Sequence, residues 1–457
     1  MSNRSPWIHQ LNSDRAVFPL KKDIQTDIAI IGAGIAGIST AFFILRYTDK
    51  RVIVVEKGKF AHGATGHNAG QIASYFERPF HELADEFGLD KAASAQRAIE
   101  SAWQLLDEMY TEARMSIPVS RFMGHAGFST KDQVLRHLKD GVCRKKAGMN
   151  IEHMRIADNA PFLSELSSEY SELYEIVTHK EILNLLQSGN KEYVASLSYQ
   201  KGCLNSALFC QEIILFLTKT YPERFALYEH TPISKVVLHE EKVILDAGKH
   251  TIESKKIVLC TNGFEGVHII NEGGLAIDTK FHHLVKGIVG YMSAYLEPLN
   301  KPPAVVSYFP PNHSDNRDPF AEDPYFYLTR RPFDFSGNIN SNLISVGGPE
   351  SPLENRLEYN TNLDYPEDAK KRINAFVKST YDLDPNKKID YQFTWHGLMG
   401  YTPSGVRLIG EEPKNPSLIY NLGCNGVGIL PSLYGARRIA SLIAGDSLDE
   451  TIFDPKK

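Results

Sequence analysis

The sequence predicts an α/β fold in which a Rossmann-type nucleotide-binding domain is interleaved with an α+β substrate domain built on an antiparallel sheet. Three observations carry this. Residues 26–37 (TDIAIIGAGIAG) pass from a short apolar run into three glycines and then into a helix-competent segment. Residues 51–55 (RVIVV) read as a following strand with the acid Glu56 at its end, nineteen positions after Gly37. Two further strands, at 256–260 and 418–423, also end in small, polar or glycine-rich turns far along the chain. Ligands of open α/β sheets bind beyond the carboxyl ends of strands, so these distant junctions imply one dinucleotide held by a discontinuous domain.

Each residue of the first unit has a physical task. Gly32 makes the tight turn, Gly34 lets a pyrophosphate approach the backbone, and Gly37 lets the helix pack against the strand. Ile35 and Ala36 open the helix, whose N-terminus presents N–H groups and a positive dipole end to phosphate. Glu56, followed by Lys57, suits ribose hydroxyls and disfavours a 2′-phosphate.

The chain of 457 residues is long for one domain. The segments 1–75, 195–270 and 390–457 are expected to form the nucleotide domain, and 76–194 with 271–389 the substrate domain. A hydrophobic content of 42%, a charged content of 23% and a net charge of −5 describe an ordinary globular protein with no nucleic-acid surface. Five scattered cysteines without a C-x-x-C pair argue against a disulfide framework or a metal site and fit a reducing, cytoplasmic setting. The uncharged run 28–45 meets the crude length of a membrane span, but its three glycines at nucleotide-binding spacing favour a buried strand and helix.

Along the chain, 1–25 reads as an arm with Trp7 and Phe18 as anchors, and 58–71 as a small-residue loop beside a ligand. Residues 81–115 are helical with a break near Gly88, 119–129 a strand, and 132–150 a helix. Residues 155–188 read as helix-like with a break at Pro161. Residues 199–216 read as a turn and then a helix capped by Asn205. Strands follow within 225–246 and at 256–260, 284–295, 325–330 and 343–347. A Pro/Asn/Asp-rich loop spans 308–323, a helix 365–381, and a strand, a glycine turn and a helix with Pro431 in its first turn span 418–444.

GAGIAG (32–37), VVEKG (54–58), GATGHNAGQ (63–71), KGCLNSALF (201–209), KIVLCTNGF (256–264), WHGLMGYTPSGVRLIGE (395–411) and YNLGCNGVGI (420–429) occur in this order along the chain. Together they resemble the FAD-dependent amine and amino-acid oxidases, the group of glycine oxidase, sarcosine oxidase and γ-glutamylputrescine oxidoreductase. The resemblance implies FAD as cofactor. Gly63, Ala64, Thr65, His67, Asn68, Ala69, Gly70 and Gln71 would wrap the pyrophosphate and flavin edge, and Val236 would serve the adenine. Thr261, Asn262, Gly263 and Gly397 would lie along the cofactor. Asn425, Gly426, Val427, Gly428 and Ile429 would face the flavin pyrimidine at a helix start, where backbone N–H groups stabilise negative charge.

The implied activity is oxidation of a C–N bond in a small-molecule amine or N-substituted amino acid, with hydride passing to flavin N5 and dioxygen as acceptor. The alternatives are a dehydrogenase with another acceptor and an enzyme that modifies a tRNA amine. Departures from the family pattern bear on the substrate. Leu398 and Met399 stand where relatives carry an arginine for the substrate carboxylate, Ser404 replaces an acid, and Asn425 occupies the place of a second arginine. Arg330 or Arg331 could supply an anion clamp, and Tyr291, Tyr325, Tyr327 and His396 could line the substrate cavity. His67 stands where most relatives have arginine. Some dimethylglycine-oxidising relatives attach flavin to a histidine at this offset, although a hydrogen-bonding role is the commoner use.

Overall fold

The computed structural model describes all residues except 1–2, 13–14, 264–265, 273, 278–284, 312–324, 336, 338, 354–358, 382, 385 and 457. Three sheets organise the chain. The first has the order Leu408–Glu412, Asn415–Leu422, Lys256–Leu259, Ile28–Ile31, Val52–Val55, Phe225–Tyr228. Every neighbouring pair in it is parallel except the first. Ile28–Ile31 and Val52–Val55 are buried along their whole length, as strands covered on both faces must be, and this accounts for their unbroken apolar sequence. Helices Ile35–Tyr47 and Ile429–Ala444 pack against each other, joining the start and end of the chain.

A five-stranded sheet contains Ile24–Gln25, Thr251–Ser254, Val243–Asp246, Lys235–Leu238 and His268–Asn271. The third sheet has ten strands and is mostly antiparallel. Its cavity-facing half runs Tyr391–Tyr401, Lys286–Pro298, Ile339–Leu353, Phe326–Asp334, Ala304–Phe309. Strands Gln71–Ala73 and Ala195–Leu204 belong to it as well, so the chain crosses repeatedly between the nucleotide sheet and this one. Among the described residues, no helix is long and apolar enough to cross a membrane.

The local readings hold where a stop or start signal is strong. Gly88, at φ +89°, separates helices Phe80–Phe87 and Leu89–Ala113. Asn205 caps Ser206–Thr220 by accepting from the N–H groups of Ala207 and Leu208, both at 3.0 Å. Pro431 lies in the first turn of Ile429–Ala444.

Three readings need correction. Residues 155–188 are not mainly helical. Strands Met154–Ala157 and Tyr174–Val177 pair in parallel there, two short 3-10 turns lie between them, and only His179–Leu186 is α-helical. Ser167 and Thr178 start new elements by capping, which divides the segment before an apolar stripe can build. Residues 199–204 are not a turn but the end of the Ala195–Leu204 strand. Gly202 is needed inside that strand because a Cβ would lie 2.5 Å from the Ser120 carbonyl oxygen. Phe18 is no anchor, being 64% exposed, whereas Trp7 is fully buried and donates from Nε1 to the Asn68 carbonyl at 2.6 Å. Of the expected 308–323 loop, Tyr308 and Phe309 end a strand, and 312–324 lie outside the described residues.

Candidate active site

A cavity of about 1500 Å³ runs from the end of the nucleotide sheet to the face of the ten-stranded sheet. Its nucleotide end is set by the glycine turn. Gly32 adopts φ +105°, and a Cβ there would lie 2.7 Å from the Cys260 carbonyl oxygen. Gly37 lies beneath the turn, where a Cβ would come within 1.9 Å of the Gly32 carbonyl oxygen, so its role is close packing. Gly34, Ile35 and Ala36 line the cavity, and Thr65 Oγ1 accepts from Ile35 N at 2.9 Å. Glu56 is held by the glycine turn itself, accepting from Ala33 N at 3.0 Å and from Gly58 N at 2.9 Å.

Lys57 and the loop residues Gly63, Ala64, Thr65, His67, Asn68, Ala69, Gly70 and Gln71 all line the cavity. Asn68 fixes this loop by donating from Nδ2 to the Thr65 carbonyl at 2.7 Å and accepting from Gly70 N at 2.7 Å. His67 Nδ1 is 3.0 Å from the Gly63 carbonyl oxygen, and burial pushes its imidazole below the ordinary histidine range. Gly397 passes so close to this loop that a Cβ would lie 2.1 Å from the His67 carbonyl oxygen. Thr261 and Asn262 are on the wall, and Thr261 Oγ1 is buried without a hydrogen-bond partner among the described residues. An orphaned hydroxyl beside the glycine turn fits a polar ligand.

The C-terminal turn also meets the cavity, with Asn425, Gly426, Val427, Gly428 and Ile429 on its wall. The Asn425 side chain is committed to the turn, accepting from Thr402 N at 2.8 Å and donating to the Gly423 carbonyl at 3.2 Å.

Several sequence-selected residues lie away from the cavity wall, among them Tyr291, which packs against Tyr365 and His396. Val236 is fully buried in its sheet, and Thr231, Pro232 and Ile233 form the wall near it instead. Gly263 has φ +90° and packs on Val285. Arg330 is 1% exposed, with Nε 2.7 Å from Glu297 Oε1 and Nη1 2.5 Å from Gln187 Oε1. His396 faces Asn3, Tyr359 and Leu363, its Nε2 3.0 Å from the Leu363 carbonyl oxygen. Arg330 has the opposite strand parity to the cavity-lining Tyr325 and Tyr327. Arg331 is also buried elsewhere, over the Trp7 ring. Tyr325 and Tyr327 do line the cavity.

The sequence reading missed a chamber of charged and phenolic groups at the sheet end: Glu77, Lys201, Glu350, Tyr75, Tyr199 and Tyr401. Tyr325 Oη donates to Glu77, and burial raises the Glu77 carboxyl above its ordinary range against the opposing effect of that bond and of Lys201. Burial lowers the Lys201 ammonium to about 8, partly offset by Glu77. Its Nζ donates to Ser307 Oγ at 3.2 Å and lies 5.4 Å from the Tyr75 ring centre. Burial and the Glu77 charge push Glu350 up to about 8. The one available signal was Lys201 itself, a lone cation inside the otherwise small and apolar KGCLNSALF stretch.

Residues 27–442 match the family model described as FAD dependent oxidoreductase (DAO). The chain is 21% identical over 457 residues to the probable oxidoreductase OrdL of Haemophilus influenzae, covering 99% of this chain and 91% of that protein. It is 22% identical over 438 residues to the gamma-glutamylputrescine oxidoreductase of Escherichia coli K12, covering 94% and 86%. Its fold is similar to the crystal structure of glycine oxidase from Geobacillus kaustophilus, with TM-score 0.66, 16% identity, and coverage of 94% and 98%.

Proposed function

Because this chain belongs to the FAD-dependent oxidoreductase family and its cofactor is FAD, we propose that it oxidises the C–N bond of an amine or N-substituted amino acid. The observation that carries the reading is the single cavity that joins the nucleotide turn, the 63–71 loop and the C-terminal helix start to a phenol- and carboxylate-lined chamber. When bound, FAD supplies the acceptor for a hydride from the carbon beside nitrogen.

The rest is positioning by this chain. Glu56 and the Gly34 turn hold the adenosine and pyrophosphate end, and Thr65, Asn68 and Gln71 fix the loop against it. Gln71 Nε2 is itself held by Thr329 Oγ1 at 3.0 Å, which ties the loop to the ten-stranded sheet. The N-terminus of Ile429–Ala444 opens on the cavity, and there its positive dipole end would stabilise negative charge on a bound flavin. The chamber walls exclude water from the reacting carbon. A reacting nitrogen must be neutral, and Lys201, lowered to about 8, can take its proton as the pH rises towards and above 8. We read the electron acceptor as dioxygen, giving hydrogen peroxide, and the imine as released to hydrolysis.

The test is product stoichiometry with the holoenzyme. Oxygen consumed, peroxide formed and amine converted should be equal for a competent amine. Amine conversion without oxygen uptake would instead favour the dehydrogenase form of the reaction.

A further inference from the structure

The ten-stranded sheet shapes the chamber around Glu350. In the ladder Glu350 stands opposite Gly290, and Gly290 stands opposite Gly397 on the next strand. The glycines leave the wall low: a Cβ on Gly290 would lie 3.2 Å from Met399 Cε and 3.9 Å from Tyr327 Oη. Gly347 does the same for Tyr327, whose ring atoms come within 2.4 Å of where a Cβ would be. The result is a recess bordered by Glu350, Tyr327, Met399 and Tyr401, with Glu77 and Tyr325 near it.

The charges in the recess do not balance. Glu77 has the hydrogen bond from Tyr325, and Lys201 and Arg136 both favour its ionised form. The Glu350 side chain has no hydrogen bond or ion pair among the described residues, and the charge that acts on it is the repulsive one of Glu77. It is partly buried and lines the cavity. A buried carboxylate without a counter-charge is costly, and a ligand cation would remove that cost. The neighbouring tyrosine rings suit the same ligand, since an ammonium is attracted to a π face.

Among the described residues, the cavity-lining arginines are committed elsewhere. Of the cavity-lining arginines, Arg78 pairs with Glu82 and Glu86, Arg136 with Glu82, and Arg144 with Glu100, while Arg407 donates to Asn421.

We propose that Glu350 binds a second, non-reacting ammonium group of the substrate, so that the enzyme is selective for amines bearing a distal cation. This rests on the amine-oxidation reading above for the identity of the reaction, but the binding claim stands or falls separately. The distal nitrogen keeps its proton and forms a charge-assisted hydrogen bond with Glu350 inside the tyrosine-lined recess. The other nitrogen is left for the flavin.

The experiment titrates the flavin spectrum of the anaerobic holoenzyme with short α,ω-diamines, monoamines of equal length and ω-amino acids of equal length. The diamine is expected to bind roughly tenfold or more tightly than the monoamine, and the ω-amino acid more weakly than either. Glu350→Gln should bring the diamine to the monoamine value, with monoamine binding little changed, and Glu350→Asp should keep part of the preference. In case Glu350→Gln loses flavin, calorimetry of the wild type in two buffers supplies a second reading. At neutral pH, binding of the diamine should release about one more proton than binding of the monoamine, because Glu350 must ionise to hold it. Equal binding of monoamine and diamine, a preference that survives Glu350→Gln, or no extra proton would overturn the proposal. Preferred diamine binding without flavin reduction would count against amine oxidation and leave the binding claim intact. Flavin reduction by monoamines with no diamine preference would do the reverse.

Discussion

Tyr325 Oη donates to the Glu77 carboxylate, 3.1 Å from Oε1 and 3.3 Å from Oε2. This bond joins the start of the Phe326–Asp334 strand to the segment that follows the cofactor loop, and it opposes the burial that drives Glu77 towards its neutral form. Tyr325→Phe should therefore raise the Glu77 pKa further and destabilise the holoenzyme by about 1–3 kcal/mol. Denaturant unfolding read by flavin fluorescence measures the loss. It should be largest above the Glu77 pKa and shrink as the acid protonates.

Two glycines of the nucleotide end separate packing from cofactor binding. Gly37→Ala forces a Cβ to within 1.9 Å of the Gly32 carbonyl oxygen, so the turn must open. A stability loss of about 2 kcal/mol or more is expected, with loss of bound flavin. At Gly63 a Cβ meets no protein atom within 4 Å. Gly63→Ala should leave the melting temperature of the apoprotein unchanged and lower FAD affinity. Thermal unfolding and flavin titration of both variants check the contrast.

Glu350 makes stability depend on pH in a defined direction. Burial and the Glu77 charge hold its folded-state pKa at about 8, above the 4.5 of an ordinary glutamate. The folded form therefore holds a proton that the unfolded chain gives up, and stability falls as pH rises from about 4.5 to about 8. Glu350→Gln removes this dependence. Relative to wild type, the variant should gain on the order of 1–3 kcal/mol between pH 5 and pH 9. Lys201, also in the chamber and lowered to about 8, acts in the opposite sense above that pH and is common to both proteins.

His67 is held through Nδ1 at the Gly63 carbonyl and supports the loop as a hydrogen-bonding residue. Its flavin should be non-covalent. Acid precipitation should leave a colourless pellet and a yellow supernatant, and a yellow pellet would assign covalent attachment.

The nucleotide end was legible because its signals are local. Gly32, Gly34 and Gly37 act within one turn, Glu56 ends the adjacent strand, and Asn205 and Gly88 mark helix boundaries by their own chemistry. The substrate end was not legible for the opposite reason. Glu77, Lys201 and Glu350 come from three distant segments, a bend and two strands of the ten-stranded sheet, and meet only in the fold, which no window of sequence contains. Each reads alone as a surface charge. Arg330 and His396 carry plausible chemistry, yet Arg330 is committed to Glu297 and Gln187 and His396 faces the Leu363 carbonyl, both away from the cavity.

The most direct measurement of the central claim is anaerobic bleaching of the bound flavin by a panel of monoamines, diamines, N-methyl amino acids and D-amino acids. The account predicts full reduction by at least one amine of the panel, fastest with a diamine, and slower reduction when Lys201 is replaced by Met. A flavin that every member of the panel leaves oxidised, while dithionite reduces it, would contradict the account.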